Sequence, residues 1–340
     1  MKNIGSVNEG NEVFFINDFF SKKFDSSILY IARDDREIFN IKNKIEWFYP
    51  EKEILIYRSW NHIPYDNVSP SKEIQSERIK TLYKLYKSTK SKIVITSVNA
   101  IIQKTISFNF LKDNFIEINK NKKINFQNFI NNLIHLGYKR TSIVREKSEF
   151  AIRGSIIDIF LIDEIHPIRL DFFDEKIESI NQFDKLSQRT IKKFDKKILI
   201  NPSNELLLNE KSLNLFRKSF RELFPSYRHS YIYNTFSELS IPSGGENFIS
   251  LFYDTMSNIF DYCSDFEIIL NNDFDKLLDS RLENIHDFYN VRIQQKENFN
   301  LNPNYLFCDK NTIEQIFKEK KIIRLNQYKL KNNYNFIYKK

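Results

Sequence analysis

The strongest constraint on the fold is a pair of apolar runs near the middle of the chain. Residues 149–160 and 167–174 are rich in β-branched and aromatic side chains, which favour β-strands. The segment between them, residues 161–166, is interpreted as a turn. We therefore predict a β-hairpin with a long loop inside a compact, β-rich unit.

Alternation in the second run divides its side chains between two faces, because successive side chains of a strand point to opposite sides of the sheet. One face is apolar and is assigned to the core: Ile168, Leu170 and Phe172. The other face carries charge and one ring: Arg169, Asp171 and Phe173. An arginine beside an aromatic ring is the composition of a protein-binding hot spot, so we predict that this face docks a partner.

The first third of the chain alternates predicted strands and helices. Strands are predicted over residues 27–32, 53–57 and 93–96. Helices are predicted over residues 34–48, 74–85 and near 99–102. This βαβ alternation indicates a parallel sheet covered by helices. Later predicted elements are a helix over residues 125–136 closed by Gly137, helices over 211–224 and 273–289, and a strand over 268–270.

Three motifs in the central segment resemble a known family. Residues 149–160 read EFAIRGSIIDIF, residues 167–174 read PIRLDFFD, and residues 183–189 read FDKLSQR. They resemble the UvrA-binding domain that the transcription-repair coupling factors (Mfd) share with the excision-repair protein UvrB. The family's leading glycine is replaced here by Ser148, which matters only if that position requires a positive φ.

Further motifs resemble the coupling factors and separate the chain from UvrB. They are WNHIPYD at residues 60–66, Ser69-Pro70, IQSER at residues 74–78, and VNA at residues 98–100. In UvrB the comparable region carries a long aromatic hairpin used to verify damage. Here the chain passes from Pro70 directly into a predicted helix, which leaves no room for that hairpin.

The resemblance implies an α/β fold: a RecA- or helicase-like parallel-sheet domain with a degenerate nucleotide site, interrupted by an inserted α+β UvrA-binding domain. Residues 1–116 would be the first part of the sheet domain, and residues 117–201 the UvrA-binding domain. Residues 202–340 would return to complete the sheet domain and add a C-terminal extension.

The segment before the first helix has the glycine spacing of a phosphate-binding loop, with Gly5 and Gly10 at the two glycine positions. A working loop reads G-x-x-x-x-G-K-S/T, because the lysine neutralises phosphate charge and the hydroxyl coordinates Mg²⁺. Asn11 and Glu12 replace both of those residues. We therefore expect this loop to be degenerate and the chain not to hydrolyse nucleotides.

Other catalytic signals are weak. Residues 170–175 mimic a Walker B strand but lack a partner loop, so we interpret them as a strand end and a turn. The five histidines show no metal-binding spacing. Cys263 and Cys308 are too far apart for a C-x-x-C motif and are interpreted as buried thiols. We expect no metal, no cofactor and no catalysis.

The net charge of +8 raises the alternative of DNA binding, since basic side chains neutralise phosphates. Lysines are scattered along the whole chain, however, which is typical of a solvated surface. The densest basic runs are residues 120–123 and 192–197. No N-terminal apolar region and no apolar run near the roughly 20 residues of a membrane helix is present, so a cytoplasmic location is expected.

Carried over by the resemblance, the UvrA-contacting positions are Arg153, Arg169 and Phe173. Two arginines and a phenylalanine suit an acidic partner surface. A hairpin folded about residues 162–165 would place Arg153 roughly opposite Phe173, although a slip of one residue would reverse the facing. The competing interpretation is that both arginines pair within the sheet with its own aspartates, Asp158 and Asp171.

The sequence therefore predicts a non-catalytic recruitment module that binds UvrA in transcription-coupled nucleotide excision repair. The alternatives are half of an ATP-dependent DNA translocase or helicase, and a basic protein that binds DNA nonspecifically. The coupling factors' polymerase-binding domain and translocase motor have no counterpart before Lys340. The chain is thus expected to be a fragment, a stand-alone relic, or a split-gene product that works with a separate motor-bearing chain.

Overall fold

The structure is a computed structural model that describes residues 2–8, 10–22, 26–50, 52–88, 90–162, 164–194, 196–294, 299–331 and 334–336. Its α-helices are α1 (Glu12–Lys22), α2 (Asp35–Phe48), α3 (Lys72–Lys87), α4 (Val98–Ile102), α5 (Phe108–Asp113), α6 (Phe126–His135), α7 (Glu210–Leu223), α8 (Tyr231–Ser237), α9 (Ile259–Tyr262), α10 (Phe274–Ile293) and α11 (Lys310–Glu319).

Short 3₁₀ helices cover Tyr227–His229, Gly245–Phe252 and Pro303–Tyr305. The strands are β1 (Lys2–Gly5), β2 (Ile28–Ala32), β3 (Glu53–Tyr57), β4 (Lys92–Ser97), β5 (Ile116–Ile118), β6 (Lys139–Arg140), β7 (Glu149–Arg153), β8 (Ile156–Ile159), β9 (Ile168–Phe173), β10 (Lys176–Phe183), β11 (Thr190–Lys193), β12 (Ile198–Ile200), β13 (Glu267–Asn271), β14 (Ile322–Leu325) and β15 (Tyr334–Asn335).

The chain divides into two compact units. The first consists of Met1–Asn67, Thr81–Ile106 and Thr255–Lys340, and the second of Val68–Lys80 and Ser107–Asp254. None of the helices in the described ranges is both long and apolar enough to cross a membrane.

The first unit is built on a seven-stranded sheet of order β15-β1-β14-β13-β2-β4-β3. Every neighbouring pair in this sheet runs parallel. Strands β13, β14 and β15 come after the central segment in the chain, yet they pair with β1 and β2. The predicted α/β fold with a parallel sheet, interrupted in sequence by a second region, is therefore confirmed.

Helix α2 shows why the local pattern predicted this unit well. The Asp34 carboxylate accepts a hydrogen bond of 2.9 Å from the backbone N–H of Glu37, which satisfies one of the free donors at the helix start. Ile38, Ile41 and Ile45 then follow at helical spacing and are all buried. They pack with apolar side chains of the parallel strands, so this amphipathic helix covers the sheet as expected.

The second unit contains a six-stranded sheet of order β11-β10-β9-β8-β7-β6. Its strands pair antiparallel except for β6 and β7, which are parallel. Helix α6 covers one face, where Phe129 and Leu133 share a core with Leu170 and Phe172 of β9. Gly137, at φ +82°, follows the helix end as the sequence predicted.

A two-stranded antiparallel ladder joins β5 to β12, with Ile118 paired to Ile198 and Ile116 to Ile200. The two ends of the central segment therefore lie side by side, which is the arrangement expected of an inserted domain. The boundaries predicted after residues 116 and 201 fall close to these strands. They stay a prediction, since the compact second unit extends beyond both.

The central strands differ from the sequence expectation in one respect. Residues 149–160, interpreted as one run, form two antiparallel strands, β7 and β8, joined by a tight turn at Gly154 and Ser155. Gly154 adopts φ +60°, a conformation that costs glycine little because it lacks a Cβ. The predicted long-loop hairpin is formed by β8 and β9.

Candidate protein-binding face of the inserted sheet

The strand register places the three candidate contact residues on one side of the six-stranded sheet. Asp158 of β8 pairs with Arg169 of β9, and Ile156 pairs with both Arg153 and Asp171. Directly opposed residues share a face, and residues two apart along a strand do so too. Because Phe173 lies two residues beyond Asp171, it shares that side, which we call the outer face and which is opposite the α6 core.

The same register corrects the expected position of Arg153 relative to Phe173. Strand β8 lies between β7 and β9, so the two residues are not opposite one another. Arg153 lies in the row of Asp171, one step before Phe173 along this face. The expectation was wrong because the turn at Gly154 was not recognised. Residues 149–173 were therefore taken as two strands, whereas they form the three strands β7, β8 and β9.

Phe173 is exposed over 73% of its surface, whereas Phe172 beside it is buried at 4%. The alternation of β9 predicted this division correctly. A single exposed apolar side chain is common on protein surfaces and means little by itself. Next to arginines on the same face, however, the ring gives the aromatic and cationic composition that protein-binding hot spots share.

Arg169 is largely engaged within the sheet. Its Nε and Nη2 donate to the two carboxylate oxygens of Asp158 at 2.7 and 2.9 Å. Its guanidinium also lies 4.6 Å from the ring centroid of Phe183. The side chains of Arg169 and Asp158 are 18% and 1% exposed, and their hydrogen bond raises the pKa of Arg169. The interpretation that Arg169 pairs with Asp158 is therefore correct.

Arg153 is different, because its side chain is exposed and forms no ion pair among the described residues. Its Nη2 donates to the side-chain oxygen of Gln188 at 3.4 Å. The expected alternative, in which Arg153 pairs with an aspartate of the sheet, is not what its contacts show. Its guanidinium keeps donors available for a carboxylate from outside the chain.

Ser148 stands where the family pattern has glycine, and its backbone explains that glycine. It adopts φ +65° while being 2% exposed, and its hydroxyl has no hydrogen-bond partner. Its N–H donates to the carbonyl of Phe160 at 2.9 Å, which fixes the backbone there. The position does require a positive φ, so serine is accommodated at a steric cost that glycine would avoid.

The predicted nucleotide loop connects β1 to α1. Gly5 ends β1, Gly10 adopts φ +89°, and Asn11 directly precedes α1, which begins at Glu12. The Glu12 side chain is buried, and this burial raises its pKa. Within the first unit, Glu12 and Glu37 both line a cavity of about 150 Å³ at the carboxyl ends of the parallel strands.

The cavity's second carboxylate is held firmly. Glu37 accepts hydrogen bonds from the Tyr30 hydroxyl at 3.0 Å and from the Asn271 amide at 3.2 Å. The backbone N–H of Arg33 donates to its other oxygen at 2.7 Å. Asp273 and Arg33 line the same cavity. Glu12 therefore occupies the position at which a functional phosphate loop carries serine or threonine, beside a cavity with three carboxylates in its wall.

The motif around Ser69 and residues 74–78 has a structural role in the second unit. Arg78 forms an ion pair with Glu205, and Gln75 donates from its amide nitrogen to Glu246 at 3.2 Å. The Ser69 hydroxyl donates to the other oxygen of Glu246 at 2.7 Å. Sequence reasoning missed both glutamates. The signal was Arg78 itself, an arginine at an apolar position of a helix, which requires a buried carboxylate.

Within the described residues, no cluster of three or more histidine, cysteine, aspartate or glutamate side chains could hold a metal ion. Cys263 and Cys308 are free and buried, as the sequence predicted. Burial raises the pKa of the Cys308 thiol to about 11, so this thiol is protonated at neutral pH and weakly reactive.

Comparison with known proteins bears on the outer face. Residues 116–206 match the family described as the UvrB interaction domain. The chain is also similar to transcription-repair-coupling factors. The protein of Haemophilus influenzae is 29% identical over 77% of this chain, that of Rickettsia conorii 28% over 92%, and that of Escherichia coli K12 30% over 69%. The chain spans only 20% to 28% of the length of these relatives.

Proposed function

We propose that this chain, an α/β module similar to the N-terminal part of the transcription-repair coupling factors and carrying a UvrB interaction domain, recruits UvrA in transcription-coupled nucleotide excision repair. The observation that carries the proposal is that the matched residues, 116–206, contain the whole six-stranded sheet. Arg153, Arg169 and Phe173 share the outer face of that sheet.

The chemistry of this face suits an acidic partner with an apolar recess. The planar guanidinium of Arg153 can bond a carboxylate through two parallel hydrogen bonds. The exposed ring of Phe173 buries apolar area when it is covered. Arg169 contributes by holding a positive charge close to the surface while Asp158 fixes its direction.

We propose further that the chain does not hydrolyse nucleotides. A carboxylate that is already desolvated, as Glu12 is, becomes still less favourable when phosphate charge is brought beside it. Glu37 and Asp273 line the same cavity and add negative charge, of which Arg33 offsets part through its ion pair with Glu37 at 3.3 Å. Titration of the protein with ATP and Mg²⁺ tests this proposal, and measurable ATP hydrolysis would favour the helicase alternative instead.

The direct test of the binding proposal is a titration of UvrA with the wild-type protein, Arg153→Ala and Phe173→Ala. Truncating a hot-spot residue costs about 2 to 4 kcal/mol of binding free energy. That corresponds to roughly 30- to 1,000-fold weaker binding. Unchanged affinity for both variants would contradict the proposed interface.

Two matched controls exist in the same unit. Ile165, 83% exposed, precedes β9 and so lies at the opposite end of that strand from Phe173. Lys211, in α7, carries the same charge as Arg153 but lies outside the six-stranded sheet. Ile165→Ala and Lys211→Ala should therefore bind UvrA as tightly as the wild type. DNA and a separate motor-bearing chain remain predictions from the sequence.

A further inference from the structure

We infer that Gln188 is a positioning residue of this face, which holds Arg153 ready for the partner. The inference rests on the proposed function, and it assigns a role to a residue between strands β10 and β11. Gln188 contacts both arginines of the face. Its side-chain oxygen accepts from Arg153 at 3.4 Å, and its backbone carbonyl accepts from Arg169 at 3.3 Å.

Gln188 lies in a turn whose shape is set by its own hydrogen bonds. The Asp184 carboxylate accepts from the backbone N–H and from the hydroxyl of Ser187, both at 2.8 Å. The backbone N–H of Gln188 donates to the carbonyl of Asp184 at 2.8 Å, and the N–H of Asp184 donates to the carbonyl of Arg189 at 2.9 Å. These hydrogen bonds therefore fix the backbone conformation of the turn at Gln188.

The orientation of the Gln188 amide follows from its neighbours. Its nitrogen donates to the carbonyl of Lys185 at 2.8 Å and to the carbonyl of Val144 at 3.1 Å. An amide nitrogen has two hydrogens, and both are used. The oxygen must then point the other way, where it meets the guanidinium of Arg153. Two backbone carbonyls, one in the segment between β6 and β7 and one in the turn between β10 and β11, thus orient the acceptor that meets Arg153.

The backbone conformation of Gln188 indicates that its side chain has a role beyond shaping the turn. Gln188 adopts φ +61°, in the left-handed region. Glycine adopts this conformation at little energetic cost, whereas a residue with a Cβ is strained there. A turn selected only for its shape would favour glycine or asparagine here. Glutamine is the residue whose amide is long enough to make the contacts described above. Strain retained at a surface turn is an observation from which a functional role can be inferred.

An arginine whose side chain is already restricted by a hydrogen bond binds a partner more tightly than one whose side chain is mobile. A long side chain loses rotamer freedom when a partner immobilises it, and this loss weakens binding. Arg153 has no ion pair in the described part of the chain, so its hydrogen bond to Gln188 is what restricts it beforehand. Removing the Gln188 amide should leave the fold intact and release the Arg153 guanidinium.

The test is Gln188→Gly, which suits the left-handed backbone and keeps the carbonyl that Arg169 uses. A purely structural role, in which the amide only holds the carbonyls of Val144 and Lys185, predicts a lower melting temperature with unchanged UvrA affinity. A positioning role predicts binding weakened by about tenfold, the effect of one modest interaction, whatever the change in melting temperature. Gln188→Ala, which keeps the backbone strain, should weaken binding similarly and lower the melting temperature relative to Gln188→Gly.

A double-mutant cycle shows whether Gln188 acts through Arg153. In an Arg153→Ala background, Gln188→Gly should change UvrA affinity little, because the residue that it positions is gone. Equal losses in both backgrounds would overturn the inference. The inference would also be overturned if Gln188→Gly bound UvrA as tightly as the wild type while Arg153→Ala and Phe173→Ala bound it more weakly. That result would leave the proposed function intact. If the wild-type protein does not bind UvrA, both fail together.

Discussion

Arg78 and Glu205 form an ion pair in which the Nε–Oε1 distance is 2.7 Å and the side chains are 0% and 1% exposed. The two residues are separated by the whole central segment in sequence. Removing one member of such a pair leaves a buried charge without its partner, which is far more costly than losing the attraction itself.

We predict that Arg78→Met destabilises the protein by about 3 to 5 kcal/mol, because the buried Glu205 carboxylate then loses its ion pair with Arg78. The double variant Arg78→Met with Glu205→Gln should recover a large part of this loss. Urea denaturation of the three proteins measures it. If the single variant is as stable as the wild type, the pair is not buried as described.

Arg169→Ala should reduce both folding stability and UvrA binding. The substitution leaves the carboxylate of Asp158 buried without its bidentate partner, so we expect a loss of about 3 kcal/mol in unfolding free energy. Arg153→Ala should leave stability unchanged, since its side chain is exposed. Thermal melts measure the stability of each variant, and UvrA titrations measure its binding affinity. Together they distinguish the roles of Arg169 and Arg153. Equal stability of both variants would contradict this division of roles.

Ser148→Gly should stabilise the protein. Glycine relieves the cost of a positive φ and removes a buried hydroxyl that has no partner, against a greater entropy of the unfolded chain. The expected net gain is about 0.5 to 1 kcal/mol. Ser148→Ala is the matched control, because it removes the hydroxyl but keeps the strain. A glycine variant no more stable than the alanine variant would argue against strain.

Glu246 should make the protein less stable as pH rises. Burial raises its pKa above the ordinary 4.5, so the folded state holds this proton more tightly than the unfolded state. Its protonated form favours folding at low pH, and that contribution is lost between pH 4.5 and its raised native pKa.

Glu246→Gln keeps hydrogen-bonding groups toward Ser69 and Gln75 but cannot ionise. The difference in unfolding free energy between wild type and variant should therefore change across that pH window, with the variant gaining as pH rises. Denaturant titrations from pH 4 upward measure the difference. A difference that does not vary with pH would show that Glu246 titrates normally.

Short-range patterns predicted those features of the fold that depend on neighbours in sequence. The spacing of the isoleucines in α2 predicted a helix with one buried face, and the alternation in β9 predicted one buried and one exposed face. Both predictions were confirmed. The turn at Gly154 was missed because an isolated glycine inside an apolar run can also belong to a strand. That single omission misplaced Arg153 relative to Phe173.

The contacts of the outer face could not be read from the sequence. The motif containing Gln188 was visible, but its contacts with Val144, Arg153 and Arg169 depend on how a turn packs against two strands and the segment that precedes β7. Likewise, nothing local to Arg78 identifies Glu205 as its partner. Composition left open whether the arginines pair with Asp158 and Asp171 or face a partner. Only the strand register decided that Arg169 pairs with Asp158.

The ladder between β5 and β12 brings the entry and exit of the central segment together as neighbouring strands. Because these two ends are adjacent, we expect that the segment, taken with the flanking residues it contacts, can be inserted into a loop of an unrelated host with short linkers. The outer face, with Arg153, Arg169 and Phe173, would be transplanted with the segment, so the proposed binding could be measured in an unrelated host protein.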